Sequence, residues 1–253
     1  VREPVDHHDS DVSQHDLPLS IPLHLLPGAV AVVVYVAIAP LFIHANLPSL
    51  LALLTAATIC LIPLELGHLL VLGKRRNQRW SLDGIVVFRR PHPSRFYWKV
   101  VPIVFVVATL LYALAAPADV LLTRHAFEWL PKWWRFTDVS QYRRYSRSIL
   151  LLTFTVRLVF DGVFIPVVEE LYFRGYLLPR ISRFGGWAPV LNCCLFALYH
   201  FWQPFNLPSL LGISLPICIG VWRTKNVCVG VLSHLALNFV GSVIPIVAIL
   251  QGW

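Results

Sequence analysis

The sequence predicts an all-α protein, a polytopic transmembrane helical bundle of about seven or eight spans. Two observations carry this. Of its 253 residues 57% are hydrophobic and only 13% charged, with a mean hydropathy of +0.67, whereas a soluble domain carries about 25% charged residues. The apolar residues are also gathered into runs of about 20, the length a helix needs to cross hydrocarbon. Such runs fill nearly the whole chain from residue 25 onward, which predicts a single integral membrane domain over 25–253. The net charge of +8 reads, in this setting, as loops facing anionic lipid and not as a nucleic-acid surface.

The elements follow in order. Residues 1–24 are polar and acidic, with Asp6, Asp9, Asp11 and Asp16 beside His7, His8 and His15. They contain neither a basic nor an apolar signal segment and read as a disordered tail. The first span is 25–45 and the second 49–73, the latter interrupted by Pro63, Glu65 and His68. A basic loop runs from Lys74 to Lys99, and the third span covers about 100–122. The loop from Arg124 to Arg147 holds Trp129, Trp133, Trp134 and Tyr142, residues suited to headgroup depth. A fourth span covers about 148–168, and a helix bearing EELYFRGYLLPRISRF continues to about 184. The later spans are about 187–203, 207–222 and 226–250. The loop 74–99 is the most basic, which predicts a cytoplasmic side shared with Arg180, Arg183, Arg223 and Lys225. The five cysteines lie in apolar runs without a CxxC pair and read as small buried hydrophobes.

Ionisable side chains at membrane depth are costly, so the few present are the candidates for chemistry. They are Glu65 with His68, Arg157 with Asp161, Glu169, Glu170 and Arg174 in PVVEELYFRG, His200 in FALYHFW, and His234 with Asn238 in SHLALN. Arg157 and Asp161 are spaced i,i+4 and can neutralise each other, as can Glu170 and Arg174. Glu169 lies roughly 100° around the helix from Glu170 and has no partner on its own turn. The doublet can divide labour, Glu170 fixing geometry and Glu169 acting as a general base, or both acids can pair with separate basic groups. A lone His200 on an apolar helix is more often a hydrogen-bonded core residue than a functional one. His234 and Asn238 share a helix face and call for a common partner: a metal, a substrate carbonyl or another helix.

At these residues the chain resembles a known family. EELYFR fits an EExxxR motif at Glu169, Glu170 and Arg174, FALYH fits FxxxH at Phe196 and His200, and HLALN fits HxxxN at His234 and Asn238. This order, across about 150–245, is similar to the CPBP family of CAAX-type proteases and bacteriocin-processing enzymes. That resemblance implies a glutamate-dependent intramembrane endopeptidase within an all-helical bundle. It implies that Glu169 and His200 activate a water, that His234 and Asn238 stabilise the oxyanion, and that Glu170, Arg174 and Phe196 support them. The implied partners are membrane lipids and a peptide or protein substrate, either lipidated or carrying a C-terminal tag. No cofactor is expected: a Glu with two His suits zinc in principle, but the HExxH arrangement is absent.

Three other readings compete. A catalytically silent relative would act as a membrane scaffold or immunity protein. A membrane metalloprotein would use Glu65 and His68, spaced i,i+3 as in di-iron helices, though a second Glu-x-x-His is missing. A transporter would show paired half-helix repeats, which the sequence lacks.

Overall fold

The computed structural model describes residues 12–252, and residues 1–11 of the tail expected over 1–24 lie outside them. Among the described residues seven principal helices form one bundle: α1 (Leu17–His44), α2 (Ser49–Asn77), α3 (Ser94–His125), α4 (Arg147–Arg180), α5 (Ala188–Tyr199), α6 (Pro204–Thr224) and α7 (Val227–Leu250). All except α5 are long and apolar enough to cross a membrane. The protein is an all-helical, multi-pass integral membrane protein, and no strand occurs among the described residues.

Helix ends fall where the sequence supplies capping groups. The Asp16 carboxylate accepts from Leu19 N at 3.0 Å, and Pro18 fills a first-turn position that needs no N–H donor. The first helix therefore starts at Leu17, inside the stretch expected to be tail. Ser146 caps α4, and Asn226 caps α7 by accepting from Cys228 N at 2.7 Å. Gln78 and Lys225 end α2 and α6 in the left-handed conformation.

The long segments are not uniform. The α2 segment contains a π-turn at Ile62–Gly67, and α4 contains two, at Phe160–Phe164 and Glu170–Leu177. Pro63 sits in the first of these and Pro166 lies between the other two. Proline has no N–H to give to the i−4 carbonyl, which favours a local slip to i→i+5 bonding. Sequence periodicity gives two elements near 148–184; the bulges absorb the irregularity, and one continuous segment results.

Among the crossing segments α2 is the most buried and α3 the least. The α3 segment packs along α6 and presents Ile103, Leu110 and Leu114 outward, as a lipid-facing helix must. The α1 segment pairs with α2, and α7 lies against α4, α3 and α6. The α5 helix has 12 residues, or about 18 Å of rise, too short to cross. It ends where the His200 side chain lines the central cavity. The expected span 187–203 is instead a shorter helix ending at Tyr199, with His200 as its C-cap.

The basic loop gathers at one end with the groups expected beside it. Val87 N donates to Gly175 O, Arg90 N to Lys225 O, and the Arg180 guanidinium to Ile85 O. Within this loop the Ser81 hydroxyl, with Arg79 and Arg89 nearby, holds the Asp83 carboxyl below its usual range. The loop 124–147 differs from expectation. Trp129 is exposed, but Trp133 and Trp134 stack on each other at 5.6 Å and edge onto Tyr35. Tyr142 is buried and donates to Phe136 O at 2.6 Å. These aromatics plug the end of the bundle, and Trp134 Nε1 donates to Trp202 O in the inner turn at 2.9 Å.

Candidate active site

A cavity of about 400 Å³ opens between α2, α3, α4, α6 and α7. Its walls are largely apolar, including Leu54, Leu61, Phe105 and Ile217, and the polar side chains Glu169, His200, His234 and Asn238 line it together. Arg157 and Asp161 line it as well. Four groups that the sequence scatters over α4, the end of α5 and α7 thus border one space.

The acid doublet splits as the helical geometry predicts. Glu170 is fully buried, and Arg174 lies one turn on at 3.2 Å. The same Glu170 oxygen, Oε1, meets His234 Nδ1 at 3.0 Å. Gly230, one turn before His234, allows this approach: a Cβ there would fall 2.3 Å from Glu170 Oε2. Glu169 turns the other way. Its Oε2 lies 3.9 Å from His234 Nε2 and its Oε1 lies 3.3 Å from Tyr199 Oη. His234 therefore stands between the two acids, with one ring nitrogen toward each. No nitrogen of His200 comes within 4 Å of a Glu169 oxygen, so the imidazole adjoining Glu169 is that of His234.

The remaining partners fix orientation. His200 Nδ1 lies 2.8 Å from Phe196 O. A carbonyl can only accept, so Nδ1 carries the hydrogen and Nε2 keeps a lone pair. Asn238 Nδ2 donates to Asp161 O at 2.8 Å, a carbonyl within the first π-turn of α4. The same argument sets the amide's orientation and leaves it a second N–H. Arg157 holds Asp161 at 3.1 Å, the ion pair expected from their spacing.

Phe196 has a defined place. The Arg174 guanidinium lies over its ring at 3.9 Å, and the ring edges onto His200 at 4.8 Å and His234 at 6.3 Å. Behind Arg174 runs a buried polar chain that the sequence reading missed. Arg174 Nη2 reaches Cys218 Sγ at 3.6 Å, Cys218 reaches Asn192 Oδ1 at 3.6 Å, and Asn192 Nδ2 lies 3.0 Å from His24 Nε2. Cys218 thus does more than fill space. Cys228, for its part, is exposed. His24 and Asn192, both polar at membrane depth, were the available signals.

Glu65 and His68 part company. Glu65 is fully buried with Oε1 2.7 Å from Tyr199 Oη, while the His68 ring lies against Tyr172 and Tyr176. Among the described residues no group of three or more His, Cys, Asp or Glu side chains is arranged to hold a metal ion.

Residues 151–240, which carry all three motifs, match the family described as type II CAAX prenyl endopeptidase Rce1-like. No curated protein and no solved structure matches the chain.

Proposed function

We propose, from the match of residues 151–240 to the Rce1-like CAAX prenyl endopeptidases, that this membrane protein hydrolyses a peptide bond within the bilayer using Glu169, His200, His234 and Asn238. The observation that carries the proposal is their convergence on one cavity with apolar walls. A peptide bond is hydrolysed when a base takes a proton from the attacking water and donors meet the oxygen that becomes negative.

Glu169 is the base. A water about 2.8 Å from both Glu169 Oε2 and His234 Nε2 would see them at an angle near 90°, close to a water's own hydrogen-bond geometry. The water oxygen bonds to the carbonyl carbon and one of its protons passes to Glu169. The carbonyl oxygen takes the negative charge and meets the second N–H of Asn238 and the Nε2–H of a protonated His234. Glu170 accepts the His234 Nδ1–H and stabilises that imidazolium, the role an orienting carboxylate plays behind a histidine. His200 Nε2, bearing a lone pair, accepts from the water's other hydrogen. Glu169 then returns its proton to the amide nitrogen as the C–N bond breaks. Apolar walls exclude bulk water and strengthen each of these electrostatic contacts.

The family's description points to a lipid-modified C-terminal peptide as substrate class, and leucines on the α2 wall of the cavity suit a chain of hydrocarbon. The test uses the purified protein in proteoliposomes and a farnesylated Cys-aliphatic-aliphatic-X peptide, with products identified by mass spectrometry. The wild type cleaves after the modified cysteine. Asn238→Ala loses about 10²–10³-fold in kcat with KM little changed, because its N–H acts on charge that develops only in the transition state. A wild type inert toward this peptide, or an Asn238→Ala variant with full kcat, refutes the reading in favour of a silent scaffold.

A further inference from the structure

Glu65 is the buried ionisable group to which this mechanism gives no task. It sits in the π-turn of α2, yet it meets the base of α4 through a third element. Tyr199 Oη lies 2.7 Å from Glu65 Oε1 and 3.3 Å from Glu169 Oε1, so one phenol joins two carboxyls from separate segments. Tyr199 has a single hydroxyl hydrogen, and an ionised carboxylate can only accept. Both contacts are hydrogen bonds only when one carboxyl carries a proton and donates it to Oη.

The surroundings decide which acid that is. Glu169 Oε2 faces His234 and the cavity, where water and an imidazole can meet its charge. Glu65 Oε2 is buried without a hydrogen-bond partner among the described residues. An ionised Glu65 would leave a bare anionic oxygen in an apolar interior, the costlier arrangement. Other charges act in the same region: Arg174, Glu170 and Asp161 on α4 and His234 on α7 bear on Glu169, and Tyr172 and Arg174 bear on Glu65. None of them supplies Glu65 Oε2 with a donor.

We infer that Glu65 and Tyr199 are positioning residues for Glu169. Glu65 keeps the proton and donates it to Tyr199 Oη, and Tyr199 donates its own hydrogen to Glu169 Oε1. Glu169 is thereby held ionised, with Oε2 aimed at the water. The inference rests on the reading of Glu169 as the base. The phenol is built in to the needed precision. Phe173 and Trp202 edge onto its ring at 4.8 and 5.3 Å, and a Cβ added to Gly28 of α1 would fall 2.0 Å from Tyr199 O. Only glycine allows α1 to lie that close behind it.

The experiment measures kcat and KM of wild type, Glu65→Ala, Glu65→Gln, Tyr199→Phe and Glu169→Ala on the farnesylated peptide in proteoliposomes. Glu65→Ala and Tyr199→Phe are expected to lose about 10–10²-fold in kcat with KM within about twofold. Glu65→Gln is expected to recover most of what Glu65→Ala loses, since its amide N–H donates to Tyr199 Oη as the carboxylic acid does. Full kcat in Glu65→Ala or Tyr199→Phe, a loss confined to KM, or a Glu65→Gln as slow as Glu65→Ala would overturn the inference. If Glu65→Ala does not fold, Tyr199→Phe, which removes one oxygen, decides the matter. A Glu169→Ala variant as fast as wild type would instead sink the assignment of the base; an inert Glu169→Ala beside fully active Glu65→Ala and Tyr199→Phe would sink only the positioning role.

Discussion

Glu169→Gln is expected to fold, to insert and to leave the peptide uncut. Glutamine matches glutamate in shape, and its amide oxygen can still accept from Tyr199 Oη, so the contact now 3.3 Å long survives. What disappears is the capacity to take a proton. Positioned acid–base groups contribute about 10²–10⁴-fold to rate, and a loss of that size in kcat is expected here. Stability moves the other way or not at all, because a buried charge is replaced by a neutral group. Thermal unfolding in detergent should therefore show a midpoint at or above that of the wild type. A variant cleaving within about tenfold of wild type would remove Glu169 from the role of base.

Arg174→Met is expected to be the most destabilising single replacement near the site. Arg174 is fully buried, 3.2 Å from Glu170, with its guanidinium over Phe196. Removing one partner of a buried ion pair leaves an uncompensated charge and costs about 3–5 kcal/mol. For a chain of this size that amounts to a fall of roughly 10 °C in the thermal midpoint. The double variant Glu170→Gln/Arg174→Met is expected to recover most of that stability, since neutral isosteres can replace a buried pair at little cost. It is not expected to recover activity, because His234 Nδ1 then lacks the carboxylate that now stands 3.0 Å away. Recovery of both together would show that Glu170 is structural only. Full stability in the single variant would show that the pair contributes little to the fold.

These expectations indicate how far the sequence could be read. Pairs within one helix were legible, because i,i+4 spacing alone brings Arg157 to Asp161 and Glu170 to Arg174. The convergence of α4, α5 and α7 was legible only through the motif resemblance, since no local rule says which helix faces which. Two features near the site were not legible. The π-turns depend on how prolines are accommodated in tertiary context, and periodicity counted residues as if every turn were α-helical. The turn at His200 arises because α5 stops at Tyr199, whereas composition made 187–203 look like a full span. Tyr199 was a signal that went unused. A phenol at membrane depth needs a polar partner, and Glu65 was the unpaired acid waiting for one.

The central claim is that water, activated by Glu169, attacks the peptide carbonyl directly. A single-turnover reaction in ¹⁸O-labelled water, with protein in excess over the farnesylated peptide, tests it. The account predicts one ¹⁸O in the new carboxyl of the product on the first turnover, and a protein mass that never changes. An unlabelled first product, with the label left on the protein or with an acylated protein in the mass spectrum, would make a side chain the nucleophile and contradict the account.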